Sequence, residues 1–240
     1  MGRVTVAGGN PRMKVPVTGI LAQDIAVGSV VKLMEGGTAV EYLVVNQGIP
    51  ENSSLYDASC DGTWLLRKDI HSERQWNTSK ANKYETSAIN TWLNGDFFSS
   101  LGSVEQATVK QIKIPYRAGG GDGGANQSGA NGLSCKVFLL SGPEVGLAGE
   151  NYMPNDGAKL DYFNANTGTD SKRIAYLNGS ATFWWLRSPY TRSDGSVWRV
   201  YSDGDCGSYY TSVSLGIRPA LVLPSNALFD ETTMLLKGVA

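Results

Sequence analysis

The sequence contains a single histidine, His71, and three cysteines, Cys60, Cys135 and Cys206, within 240 residues. One imidazole excludes multi-histidine metal centres and leaves one base for any Ser/His or Cys/His pairing. Three widely separated thiols supply neither a C-x-x-C knuckle nor an even disulfide framework, and they read as isolated reduced thiols. Charge is scarce too: Asp, Glu, Lys and Arg make up 18% of residues and the formal net charge is -1. Without a basic field, nucleic acid is not an expected partner. No apolar run approaches the roughly 20 residues of a membrane span, so no membrane insertion is expected. The N-terminal stretch lacks the apolar segment of a secretory signal, which points to synthesis in the cytoplasm. The motifs GxSxG and HExxH, the GK[ST] ending of a P-loop and the dinucleotide fingerprint are all missing. His71 lies in the polar stretch 68–74 and reads as a solvated loop residue. Asp156, Asp161, Asp194, Asp203 and Asp205 carry oxygens that could bind calcium, but their spacing lacks EF-hand regularity. Turn aspartates are the plainer reading. The expectation is therefore a non-enzymatic chain with no catalytic residues, no cofactor and no metal.

Glycine is plentiful, at 29 residues, and aromatics reach 10%. Tight turns, short strands and aromatic contacts follow from that mixture, with few long helices. Residues 1–27 are polar, rich in glycine and proline, and read as a leader or attachment segment. A domain is expected over 28–240. Ser29–Leu33 and Ala39–Val45 flank Glu35-Gly36-Gly37 and predict a β-hairpin. Thr63–Arg67 and Lys136–Leu140 are further short strands. Ser87 opens a helix with Ile89, Trp92 and Leu93 on one stripe, ended by Asn94-Gly95. Ser103-Val104-Glu105-Gln106 fits a capping box, and Ser141-Gly142-Pro143-Glu144 predicts a third helix. The glycine run 118–124 reads as a flexible surface loop, with a ligand-gripping role as the sharper alternative.

The C-terminal quarter carries the functional signal. Phe183-Trp184-Trp185-Leu186-Arg187-Ser188-Pro189 predicts a buried strand that must stop at the proline. Gly216-Ile217-Arg218-Pro219-Ala220-Leu221-Val222-Leu223 is a second apolar anchor. Between them, residues 190–215 contain no lysine, glutamate, glutamine or methionine. They are instead tyrosine, tryptophan, serine, glycine, aspartate and arginine, the residue types of a paratope. Val197 and Val200 look inward but differ in parity, which predicts a bulge between them, and Asp203-Gly204 is a hairpin turn. The bland reading is a solvated loop at the domain edge. The sharper one is a binding surface formed by Arg192, Ser193, Asp194, Ser196, Trp198, Arg199, Tyr201, Asp205, Ser208, Tyr209, Tyr210, Ser212 and Ser214, gathered exposed on one face.

The order Trp-Trp-Leu-Arg-Ser-Pro, a polar variable stretch, then Gly-Ile-Arg-Pro-Ala-Leu resembles the end of a domain family common in gut Firmicutes and their phages. Gly28-Ser29-Val30-Val31, Thr63–Arg67, the region 84–98 and Phe138–Ser141 fit it as well, so the resemblance covers about 26–223. It implies an α+β fold of C-type-lectin-like, formylglycine-generating-enzyme-like type, with short helices on small twisted antiparallel sheets. Formylglycine-generating enzymes use two C-terminal cysteines; only Cys206 lies in that region here, so the enzymatic branch is not expected. In several such proteins the stretch between the anchors is the variable region of a diversity-generating retroelement. Residues 192–215 respect the substitutions such mutagenesis can reach, except at Trp198, which would be a fixed position. The implied function is recognition of a protein or glycan receptor on a host or neighbouring cell surface, from a phage tail tip or a bacterial surface. A carbohydrate-binding lectin module and a structural tail or surface component without its own ligand are the alternatives.

Overall fold

The computed structural model describes residues 18–51 and 53–240. Most of the expected leader falls outside the described residues. Its described part, 18–27, is built into the domain. Ile20–Leu21 pairs with Ala227–Phe229, Ala22 and Ile25 are buried, and Gln47 Nε2 donates to the carbonyls of Ala22 (2.8 Å) and Ile25 (2.7 Å). Apolar residues in that polar stretch thus tie it to the domain, and no boundary falls at residue 27.

The main strands are β1 (Val30–Glu35), β2 (Thr38–Gln47), β3 (Thr63–Arg67), β4 (Glu73–Gln75), β5 (Val137–Phe138), β6 (Trp184–Pro189), β7 (Ser196–Val200), β8 (Cys206–Tyr210), β9 (Ser214–Gly216) and β10 (Ala220–Leu223). One sheet has the order β5-β10-β3-β2-β1, all antiparallel. The other has the order β8-β7-β6-β9-β4, antiparallel except between β6 and β9. A three-stranded sheet and two-stranded ribbons complete an α+β domain in which sheet dominates and helices are short. The expected first hairpin forms: Glu35 pairs with Thr38 across Gly36 (φ 53°) and Gly37 (φ 81°). Two left-handed residues in a two-residue loop make the turn whose twist suits a hairpin, and glycine takes that conformation without strain.

The helices depart from the sequence reading. Ser87 caps α1 (Ala88–Trp92) by accepting from Asn90 N–H at 3.2 Å, as expected. The helix does not stop at Gly95. It passes through a π-turn, Leu93–Phe97, into α2 (Phe98–Ser100). Asn94 accepts from Lys136 N–H (2.9 Å) and donates to Val137 C=O (2.9 Å), which fastens the turn to β5. With Leu93 and Phe97 buried on the same side, tertiary contacts override the glycine's breaking tendency. The next helix, α3 (Ser103–Thr108), is capped by Gly102 and uses no capping box. Gln106 instead donates to Leu101 C=O at 2.6 Å, and buried Glu105 accepts from Met34 N–H at 2.9 Å. The third expected helix is a single turn. Ser141 and Glu144 do exchange the two bonds of a capping box, at 2.9 and 3.2 Å, but Gly146 (φ 76°) closes the chain at once. Strand β5 is likewise shorter than 136–140, although Leu139 and Leu140 remain buried.

The paired C-terminal anchors form the centre of the core, with Trp184, Trp185, Ile217 and Leu221 all fully buried. Each indole finds a backbone partner: Trp184 Nε1 donates to Arg173 C=O at 2.9 Å and Trp185 Nε1 to Arg74 C=O at 3.0 Å. Arg218 lies 4.7 Å from the Trp184 ring, so the second anchor is stacked on the first.

Candidate recognition surface at the C-terminal hairpin

Strands β7 and β8 form the hairpin expected around Asp203-Gly204. Tyr201 N–H donates to Asp205 C=O at 2.8 Å, and Gly204 takes φ 86°. Val200 faces Cys206, Arg199 faces Gly207 and Ser196 faces Tyr210 in unbroken register. The expected bulge between Val197 and Val200 is absent from β7. It lies across the ladder in β6, where the register shifts between Trp185 and Pro189. That displacement lets both valines be buried although they point to opposite faces.

Alternation along the strands divides the expected surface in two. Arg199 and Tyr209 share one face with Trp185; Ser196, Trp198, Ser208 and Tyr210 share the other. The expectation of one exposed face is therefore corrected. Trp198 is 5% exposed and stacks on Tyr190 at 5.6 Å, which itself meets Tyr152 at 5.4 Å. It is a core residue, and its Nε1 is buried without a partner among the described residues. Ser196 is also buried; its carbonyl accepts from Asn82 Nδ2 at 2.8 Å, and Asn82 holds Ser193 C=O at 2.6 Å as well. Asp194 is exposed and accepts from Asp122 N–H at 3.1 Å. The glycine run 118–124 is thus an ordered hairpin tip. Gly121 N–H donates to Asn82 at 2.9 Å, and a Cβ there would meet Ser193 O at 2.0 Å. Asp205 accepts from Cys206 N–H, and Ser212 C=O accepts from Gln75 Nε2 (2.7 Å). Arg192 and Ser214 are exposed, and Arg192 lies on the Tyr152 ring at 5.0 Å.

The Arg199 side is the most concentrated feature. Its guanidinium lies 4.1 Å from the ring centre of Tyr209, 4.9 Å from Phe183 and 5.1 Å from Tyr201. Phe183 and Tyr201 meet at 5.3 Å, and the Tyr201 hydroxyl lies over Gly207, where any side chain would collide with it. Tyr209 is 40% exposed and Tyr210 56%. The result is a cation held between three aromatic rings, one strand in from the edge of the sheet.

Beneath this surface is a buried polar node that the sequence reading missed. All five guanidinium N–H groups of Arg187 are used. They reach both oxygens of Glu144 (2.5 and 2.6 Å) and the carbonyls of Leu139 (2.9 Å), Asp156 (2.8 Å) and Pro115 (3.2 Å). Burial alone would depress the Arg187 pKa; Glu144 outweighs it and holds the guanidinium above its usual range. Tyr56 donates to Glu144, and Ser188 to Asp156. Asp156, expected among solvated turn aspartates, is fully buried, and burial pushes its carboxyl up to about 7. Arg187 and Glu144 already neutralise one another, so a third charge there would stand alone. The available signal was the Arg-Ser of the double-tryptophan strand together with Ser141-x-x-Glu144.

Residues 61–225 match a family described as a domain of unknown function, DUF6273. The chain belongs to the DUF6273 family. No curated protein and no solved structure matches it. The DUF6273 match takes in β3 to β10, the hairpin and the Arg187 node, while β1 and β2 lie outside it. In this DUF6273 chain no three His, Cys, Asp or Glu side chains among the described residues form a group that could hold a metal. His71 is not a solvated loop residue. It lies edge-on to Trp92 and Phe97, each at 5.3 Å, and burial lowers its pKa. Cys60, Cys135 and Cys206 are free thiols; burial pushes Cys60 and Cys206 up to about 12. Such thiols are poor nucleophiles at neutral pH. No helix among the described residues is long and apolar enough to cross a membrane.

Proposed function

We propose that this DUF6273 chain is a non-enzymatic ligand-binding domain that recognises a protein or glycan receptor on the surface of a host or neighbouring cell. On this reading its fold is C-type-lectin-like, and the stretch 190–215 is the diversified segment of a phage tail tip or bacterial display protein. The observation that carries the reading is the Arg199 stack. A hairpin whose turn is anchored to the Asp170 backbone and whose Trp198 is in the core presents one guanidinium and three aromatic rings beside the edge of a sheet. Aromatic and arginine side chains dominate binding hot spots because they bring large contact area with few torsions to freeze. The contact set is reduced by the burial of Trp198 and Ser196, leaving Arg199, Tyr201 and Tyr209 as its centre, with Tyr210 beside Tyr209 (5.9 Å) on the other face of the edge strand.

The test is adsorption of the purified domain to candidate host cells and glycan arrays, wild type against the combined variant R199S/Y201S/Y209S/Y210S. Loss of adsorption in a variant that still melts cooperatively supports recognition by this hairpin. Equal adsorption by both proteins would make the surface structural, and a component without its own ligand would become the better reading.

A further inference from the structure

Six of the described arginines donate a side-chain hydrogen bond. Arg67 and Arg187 pair with carboxylates, Arg117, Arg173 and Arg218 hold backbone carbonyls, and Arg192 donates to Tyr152. Arg199 and Arg74 do not. Neither guanidinium has a hydrogen-bond acceptor or an ion-pair partner among the described residues, and Arg199 Nε is buried in that state. Both are neighboured by aromatic rings instead, Arg199 by the three rings already described and Arg74 by Trp92 at 4.2 Å.

The sheet register puts the two on one face. Arg199 pairs with Trp185, Trp184 with Gly216, and Leu215 with Arg74, so alternation leaves Arg199, Trp185, Leu215 and Arg74 on the same side. Strands β7 and β4 are three strand spacings apart, roughly 14 Å. Arg74 borders an open cleft of about 290 Å³ whose lining includes Gln75, Thr78, Trp92 and Ser214. Arg199 Nε is buried, but its two terminal nitrogens are not, and these paired donors suit the two oxygens of a carboxylate. A cation with no counter-charge beside a half-exposed ring combines a charge for an acid with a platform for a sugar face.

We propose that an acidic oligosaccharide binds here, one carboxylated pyranose at Arg199 against Tyr209 and a second acidic unit at Arg74 against Trp92, passing over the buried Trp185 and Leu215 that separate the two arginines. The inference rests on the recognition reading above and names the class of its ligand. A saccharide is favoured over an acidic protein by what the hairpin exposes. Tyr209 and Tyr210 are its exposed large hydrophobics, far short of the apolar centre that a protein interface buries.

The experiment is calorimetric titration of the intact protein with galacturonic acid, tri-galacturonate, its methyl ester, sialyllactose and a poly-glutamate peptide. At least one acidic saccharide should bind about tenfold or more tighter than its neutral counterpart, with affinity falling as salt is raised. R199Q should remove that preference, and R199K, which keeps charge without the fork, should restore only part of it. R74Q should weaken the trimer but not the monosaccharide, and K237Q on the remote edge sheet should change nothing. Thermal melts of each variant separate lost binding from lost folding, and the ester comparison needs no variant. Equal binding of acid and ester, a preference that survives in R199Q, or no binding of any acidic saccharide would overturn the proposal. Poly-glutamate binding tighter than the sugars would overturn it in favour of an acidic protein. If acid preference fails while R199S/Y201S/Y209S/Y210S still loses host-cell adsorption, the ligand class is wrong and the recognition reading stands.

Discussion

Asp156 is the residue whose chemistry departs furthest from its sequence context. Its carboxyl is pushed up to about 7 by burial, whereas an unfolded aspartate titrates near 4. Between those values the folded protein holds a proton that the unfolded chain has released, so stability falls as pH rises from about 4 to about 7 and is level above. Asp156→Asn mimics the protonated form and should remove this dependence. Urea unfolding at intervals across that range should show the variant gaining on wild type by on the order of a few kcal/mol as pH rises. A constant difference between the two proteins would mean that Asp156 titrates normally. Trp198 makes a second case. Burial with an unpartnered Nε1 means that the ring stabilises the fold while the N–H costs. Trp198→Ala should lose about 3–5 kcal/mol. Trp198→Phe keeps much of the ring and removes the orphan donor, and should lose less than half as much. Paired thermal melts test this; equal losses would show that the indole N–H is not a liability.

At the scale of elements, the π-turn and the hairpin turn respond to opposite rules. Gly95 has no neighbour within 4 Å of an added Cβ and has no positive φ. It lies inside a continuing helical path, so Gly95→Ala should stabilise by about 0.5–1 kcal/mol, read as a higher melting temperature. A lower one would restore it to a helix terminator. Gly204 takes φ 86°, and a Cβ there would lie 2.2 Å from Asp170 O. The same glycine accepts from Asp170 N–H and Arg173 through its carbonyl, so the turn cannot shift without loosening that loop. Gly204→Ala should cost about 1–3 kcal/mol, and on the proposed recognition role it should also weaken adsorption to host cells, because the β7–β8 hairpin turns here.

For the whole molecule, the family match and the folding unit differ in extent. Residues 61–225 include β3 and β10 but omit β2, which pairs with β3 from Tyr42–Arg67 to Gln47–Thr63. Without β2 and β1, the strand Thr63–Arg67 becomes a sheet edge, and its apolar Trp64, Leu65 and Leu66 are fully buried in the native fold. Expressed alone, 61–225 should be aggregated or unfolded, whereas 18–240 should melt cooperatively. Circular dichroism and size-exclusion chromatography of the two fragments distinguish the outcomes. The Arg187–Glu144 node has a similar reach, joining 139–144, Asp156 and β6. Glu144→Ala strands a buried guanidinium and should cost about 3–5 kcal/mol.

Local signals in the sequence were strong wherever neighbouring residues decide the outcome. Gly36-Gly37 specified a hairpin because two left-handed positions in succession admit little else. Asp203-Gly204 did the same, Ser87 specified a cap, and the apolar runs around Trp184-Trp185 and Ile217–Leu223 had to be buried. What only the tertiary structure decided was which side of each strand met water. The polar composition of 190–215 reads the same whether Trp198 points outward or into the layer formed by Tyr190 and Tyr152. The answer depends on a bulge in β6, the strand that pairs with β7 only once the sheet has formed. Asn94 likewise looks like a helix end until β5 supplies its partners, and Asp156 looks like a turn aspartate until Arg187 and Glu144 enclose it. In each case the deciding energy comes from a group that the chain brings close only by folding. Sequence patterns determined the first hairpin, the Ser87 cap and the apolar anchors; the fold determined where the helices run on or stop, and that Arg199, with no acid to meet it, stands among three rings on the strand beside the sheet's edge.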